Sequence, residues 1–203
     1  PQKVEAFNRG EAPIVEPGLD ELLGQAKAQG RLRATASCAE AIAATDLSLV
    51  CVGTPSTAAG TLDLGFVRTV ARQIGETLSQ IGKRHTLVFR STMLPGSTAA
   101  LVAECLSDLV AAGSLAVFFY PEFLREGSAV ADFENPSLAV VGTRDGTPPP
   151  AGLLKALFGE QARAVNWSTA EMVKYACNAF HAVKISFANE IGALSGQLNV
   201  DAQ

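Results

Sequence analysis

The stretch LSLVCVGTPS, residues 47–56, decides the fold. Its first six positions form an almost unbroken apolar run of strand length, as expected for a strand covered on both faces. Gly53, Thr54, Pro55 and Ser56 then open a polar loop, and a helix is expected over 64–81. The same order recurs downstream. HTLVFRS (85–91) reads as a strand, and PGSTAALVAECLSDLV (95–110) as a helix with Pro95 near its first turn. SLAVFFY (114–120) is a strand that runs into PEFLREGS (121–128). SLAVVG (137–142) and ARAVNW (162–167) are further strands, with a helix over 151–159 between them.

Upstream, PQKVEAFNRG reads as the tail of a helix closed by Gly10, and 19–30 as a short amphipathic helix ending at Gly30. RLRATAS (31–37) is expected to be a strand and CAEAIAAT (38–45) a short helix. Strands alternating with helices predict an α/β fold with a mainly parallel sheet. In such sheets ligands sit outside the carboxyl ends of the strands. The loops starting at Gly53, Ser91 and Pro121 follow strands in that way, and are expected to share one crevice.

Composition narrows the function classes. The chain has 203 residues, 48% of them hydrophobic and 18% charged, which suits a globular domain with a substantial core. Its formal net charge is -4, and no run of Lys or Arg marks a nucleic-acid groove. No apolar stretch reaches the roughly 18 residues of a membrane span. Cys38, Cys51, Cys105 and Cys177 are widely separated. That spacing fits neither a zinc site nor a redox dithiol, so no metal is expected. Buried free thiols in a cytoplasmic protein are the expectation.

The segment EMVKYACNAFHAVKISFANE (171–190) carries polar groups within a long helical pattern. Ser168 and Glu171 match a capping box, so a helix is expected from Ser168 to about Asn199. With Lys174 at the origin of a helical wheel, Asn178 falls near ~40°, His181 near ~-20°, and Asn189 and Glu171 near ~60°. Cys177 lies near ~-60°, off this stripe, and an apolar stripe from Met172 to Leu198 lies opposite. A solvated face and a ligand-facing wall both remain open. Two amides, an imidazole and one Lys are an unusual inventory for a solvated face, and Lys174 with Asn178 could reach one ligand oxygen. His85 reads as structural. Glu122 and Glu126 are four apart; spacing alone does not tell paired acid and base roles from a solvent-facing turn partnered by Arg125.

Taken together, PIVEPGL (13–19), CVGTPS (51–56), GTLDLGFV (60–67), RSTMLPG (90–96), PEFLREG (121–127) and EMVKYACNAFHAVKISFANEIG (171–192) resemble the nucleotide-sugar 6-dehydrogenases, in order and over nearly the whole chain. RSTMLPG and the His-containing helix look closer to the members that use GDP-mannose than to those that use UDP-glucose. The resemblance implies a Rossmann-like, mainly parallel sheet over 1–166 whose N-terminal part is missing, followed by the start of a long central dimerisation helix over 167–203. It implies oxidation of a sugar C6 alcohol to the uronic acid, with NAD as cofactor, a cysteine thioester on the way, and a homodimer.

By resemblance, Thr54 and Thr92 contact NAD, and Phe123 and Leu124 line the sugar site. Glu126 serves both cofactor and substrate, as the carboxylate that handles water. Lys174 and Asn178 stabilise the oxyanion, while His181 and Asn189 add substrate contacts. The family's glycine-rich NAD loop and its GGSCLPKD-type nucleophile segment are expected upstream of Pro1 and downstream of Gln203, so the chain alone is expected not to complete the reaction. Tyr120 stands where the family usually has Asn. A hydroxyacid or 6-phosphogluconate type of dehydrogenase, or a non-catalytic nucleotide-sugar-binding module, are the alternatives.

Overall fold

In the computed structural model, residues 2–159 and 161–201 are described. Strands β1 (Leu47–Val50), β2 (His85–Phe89), β3 (Leu115–Phe119), β4 (Val140–Thr143) and β5 (Arg163–Asn166) stand side by side in chain order. The pairs β1–β2, β2–β3 and β4–β5 are parallel. Each parallel step follows a crossover that returns the chain to its starting edge. Helix α4 (Gly65–Ile81) makes the first crossover, and α5 (Ser97–Cys105) with α6 (Ser107–Ala111) the second. A short helix α8 (Ala151–Leu153), continued by a π turn over Leu154–Phe158, makes the last.

Between β3 and β4 the chain forms only the loop after β3 and helix α7 (Ala129–Glu134), then comes straight back. β4 is therefore antiparallel to β3, joined in register at Phe119 and Gly142. The loop that matters for function thus stays at the carboxyl edge of β2 and β3.

Alternation along the strands divides the core. Leu87, Phe89, Val117, Phe119 and Val140 face one layer, with α4, α5 and the root of helix α9 (Trp167–Gln197). Val88, Phe118 and Val141 face the other, capped by Phe158 from the π turn. Cover on this second face thins along β1: Leu47 packs against this layer, but Leu49, which pairs with the fully buried Val88, is 49% exposed. β1 is therefore not covered on both faces as its apolar run predicts.

Other expectations also shift. Residues 31–37 form no strand, because the Asn8 carboxamide takes both backbone groups of Ala34: its Nδ2 donates to Ala34 O (2.9 Å) and its Oδ1 accepts from Ala34 N (2.8 Å). Asn8 belongs to helix α1 (Gln2–Arg9), which helix α2 (Leu19–Ala28) follows, and helix α3 (Cys38–Ala44) forms as expected. Pro95 precedes α5 rather than entering it, since Gly96 adopts φ 92° and the helix begins at Ser97. The four cysteines are unpaired thiols, but none is fully buried: Cys51 is exposed and the other three are half-buried.

Helix α9 has two unlike parts. Its root crosses β3, β4 and β5 closely, and Gly142 makes that possible. A Cβ there would sit 2.9 Å from Ala170 Cβ and 3.2 Å from Trp167 Cα. Beyond Asn178 the helix projects from the domain, and Phe180, Val183, Phe187, Ile191, Leu194 and Leu198 are 45–66% exposed. No described helix is long and apolar enough to cross a membrane.

Candidate active site

The site is built on the root of α9. The helix starts at Trp167, one residue before Ser168, because Asn166 is its cap: extended at ψ 159°, it accepts from Thr169 N through Oδ1 at 2.8 Å. The Ser168–Glu171 capping box therefore does not form. Glu171 points inward instead and is 0% exposed. Its Oε2 accepts from Gly96 N (2.6 Å), and its Oε1 accepts from Thr98 N (2.7 Å) and Thr98 Oγ1 (2.6 Å). The carboxylate thus closes the amino end of α5, where unpaired N–H groups and the helix dipole favour an anion. Burial pushes its pKa up, and these three bonds pull it back only in part.

One turn further on, the Lys174 side chain is 6% exposed, and its Nζ donates to Glu122 Oε1 at 2.9 Å. The ammonium also lies 5.4 Å from the centroid of the Phe123 ring. The other Glu122 oxygen accepts from Leu124 N at 2.8 Å. Burial raises the Glu122 pKa, but Lys174, the Leu124 N–H and Arg90 outweigh it and hold the carboxyl below its ordinary range. At neutral pH Glu122 is therefore ionised against the buried Lys174 side chain.

A groove of about 580 Å³ opens beside this pair. Phe123, Leu124 and Arg125 form one wall, and Lys174, Asn178 and His181 the other. The structure therefore gathers five of the residues singled out in the sequence. It also adds Cys177 to the helix wall, which the wheel had set apart from the stripe: the groove accepts a wider arc than the polar stripe alone. Glu126 and Asn189 stand elsewhere. Both are exposed and neither lines the groove. Of the two loop carboxylates, Glu122 is the one that reaches Lys174. Tyr120 lies under the loop with its ring edge-on to Phe158 at 4.9 Å, so its departure from the family's Asn is felt at the base of the loop rather than in the groove.

The loop is held from outside by contacts that no local sequence signal predicts. Glu16, more than a hundred residues away in the chain, accepts from Gly127 N (3.0 Å) and Ala129 N (2.7 Å). Asp132 accepts from Arg125 N, Nε and Nη2, and from Ser128 Oγ. The Arg125 guanidinium holds the Asp132 carboxyl far below the usual carboxylate range.

At the carboxyl ends of β1 and β2, Thr54 Oγ1 donates to Thr92 O at 2.9 Å, and Ser91 Oγ donates to Val52 O at 2.6 Å. These bonds tie two of the strand-end loops together. Open space surrounds Gly53, where an added Cβ would meet nothing within 4 Å. Neutral hydroxyls and peptide groups at an open sheet edge fit the uncharged end of a dinucleotide. The sequence contains no GxGxxG turn for its phosphates.

A mainly parallel sheet whose loop after β3 brings Glu122 against Lys174 on the following helix defines an α/β protein with a groove at that loop. Comparison with known proteins narrows the class. Residues 1–160 match the UDP-glucose/GDP-mannose dehydrogenase family, NAD binding domain, and residues 168–203 match the central domain of the same family. The chain belongs to this family. It is similar to GDP-mannose 6-dehydrogenase of Pseudomonas syringae pv. tomato, with 44% identity over 99% of this chain and 47% of that protein. Among solved structures it resembles a ternary complex of GDP-mannose dehydrogenase from Pseudomonas aeruginosa (TM-score 0.90, 40% identity, 99% of this chain and 47% of that one). It also resembles a UDP-glucose dehydrogenase from Pyrobaculum islandicum (TM-score 0.88, 41% identity, 100% and 47%). The chain spans about half the length of the relatives it matches.

Proposed function

We propose that the protein carrying this chain oxidises the C6 alcohol of a nucleotide sugar to the uronic acid with NAD, and that the substrate is GDP-mannose. The observation that carries the reading is the Lys174–Glu122 pair at the head of a groove walled by Asn178 and His181. Residues 1–166 then form part of the NAD-binding domain, and 167–203 begin the central helix.

Removing a hydride from C6 builds negative charge on its oxygen as the hydroxyl proton departs. The Lys174 ammonium and the Asn178 amide stand on one helix face to meet that charge in a partly dry site, where such donors are worth most. Glu122, ionised at neutral pH and fixed by Leu124 N, is placed to take the proton directly or through one water. Resemblance gave the water-handling carboxylate to Glu126; in this proposal Glu122 takes that role as well as the alcohol proton, because Glu122 touches Lys174. Thr54 and Thr92 would hold NAD, which supplies the hydride acceptor, two equivalents for each alcohol taken to the carboxylate. The thioester nucleophile is assigned to none of Cys38, Cys51, Cys105 or Cys177. Phe123, Leu124 and His181 would contact the sugar. We also read the bare apolar face of α9 as the contact with a second copy of the protein, and the unpaired thiols as those of a cytoplasmic protein.

The test is NADH production by the full-length protein with GDP-mannose and with UDP-glucose. Faster turnover of GDP-mannose is expected. Turnover of neither sugar would refute the reading, and preference for UDP-glucose would refute the choice of base and sugar.

A further inference from the structure

Arg90 follows β2 immediately before Ser91 and Thr92, and is half-buried. Its guanidinium carbon lies 4.8 Å from the centroid of the Tyr120 ring and 5.9 Å from that of Phe133. Among the described residues its side chain makes no hydrogen bond or ion pair. It does so although two carboxylates, Glu122 and Asp132, line the same small cavity. Asp132 is already engaged by Arg125 and Ser128, and Glu122 by Lys174 and Leu124 N. A cation that pairs with neither carboxylate and rests on two aromatic faces is a packing element with a charge, since a planar guanidinium can lie flat on a ring while an ammonium offers only a point charge.

Tyr120 precedes the loop, and Phe133 lies in α7 where the chain turns back to β4. The cavity under Arg90 and the groove beside Lys174 share Phe123, Leu124, Ser137 and Leu138. The loop is therefore a thin partition with Arg90 behind it and Lys174 in front.

We propose that Arg90 is a positioning residue of the groove: by gripping Tyr120 and Phe133 at the two ends of the loop, it fixes the Glu122 carboxylate opposite Lys174. Its charge acts in the same direction. The groups that face Glu122 are Lys174 from α9, Arg90 just after β2, Asp132 from α7 and the Cys51 thiol beyond β1. Of these, Lys174 and Arg90 favour the ionised carboxylate. Loss of Arg90 leaves Glu122 easier to protonate and freer to swing.

The proposal rests on the dehydrogenase reading above, and its test separates the two. In the full-length protein, Arg90→Met is expected to move the acidic limb of the pH profile of kcat/KM upward. It should lower kcat at neutral pH by about tenfold, while the KM for NAD changes less than about twofold. Arg90→Lys, which keeps the charge but loses the stack, should restore the limb but not kcat. An unmoved acidic limb in Arg90→Met would overturn the proposal. So would a KM for NAD or sugar raised tenfold at constant kcat, which would make Arg90 a ligand-binding residue. Should Arg90→Met not fold, Phe133→Leu decides, because Phe133 is 65% exposed and tolerant of change. A kcat about threefold lower at constant KM for NAD is expected there, and an unchanged kcat overturns the proposal. If the wild-type protein makes no NADH, the dehydrogenase reading fails by itself. Carboxylate NMR titration of Glu122 then decides for Arg90: an upward shift in Arg90→Met supports the proposal and an identical titration overturns it.

Discussion

Helix α9 is two helices in the physical sense. Its root, Trp167 to Asn178, lies on the sheet, with Glu171 and Lys174 buried and each held by partners from other elements. Its outer part projects from the domain with large apolar side chains bare. The root spends apolar surface on the sheet and uses polar groups for geometry. The outer part carries apolar surface that no described residue covers. A long helix can therefore hold a reactive group rigidly at one end while offering the other end to further protein.

The root is broken most severely at Glu171. Glu171→Ala leaves two peptide N–H groups and a hydroxyl without partners at the end of α5, each a loss of about 1–3 kcal/mol. A fall in unfolding free energy of about 3 kcal/mol or more is expected from chemical denaturation. Glu171→Gln keeps the shape and should cost less. A change below about 0.5 kcal/mol for Glu171→Ala would show that the clamp is not structural.

The outer part should answer differently. Phe180→Glu with Phe187→Glu is expected to leave denaturation of the monomer within about 0.5 kcal/mol. If a second copy covers this face, the same pair should convert a dimer of the full-length protein to a monomer in sedimentation. A mass that these changes leave untouched would place the self-contact elsewhere.

Acid sharpens the contrast at the smallest scale. The Glu122 and Asp132 pKa values are lowered in the folded state, so their stabilisation is complete at neutral pH and is lost as pH falls below about 4 and on through the folded values. Glu171 has the opposite sign: its pKa is raised, so its contribution declines as pH rises through the folded value. Asp132→Asn should therefore flatten the acid side of the stability profile, whereas Glu171→Gln should flatten its rise-side decline. Identical profiles for the two variants would contradict these assignments.

Much of the fold was legible because the signals were local. The apolar runs at 47–52, 85–89 and 115–119 and the turn residues after them place β1, β2 and β3 and the side on which loops gather. The wheel also placed Lys174, Asn178 and His181 together, since three- and four-residue spacings are intrinsic to a helix. What could not be read was tertiary. Asn8 replaces a strand partner for Ala34, and Glu16 anchors a loop more than a hundred residues away. Glu122 and Glu126 look alike in sequence, and only the turn of the loop decides which one meets Lys174. Glu171 matched a cap pattern, yet Asn166 took the cap and left Glu171 for α5. AVADFE (129–134) forms α7 without a pattern that announced it, stapled at its start by Glu16.

In the proposed reaction Lys174 meets charge developing on the substrate oxygen with Glu122 at its side, and steady-state kinetics of Lys174→Ala in the full-length protein are the sharpest probe of that role. A kcat for nucleotide-sugar oxidation lower by about a hundredfold or more is expected, with the KM for NAD nearly unchanged. An unchanged kcat, or a loss seen only in the KM for NAD, would contradict it.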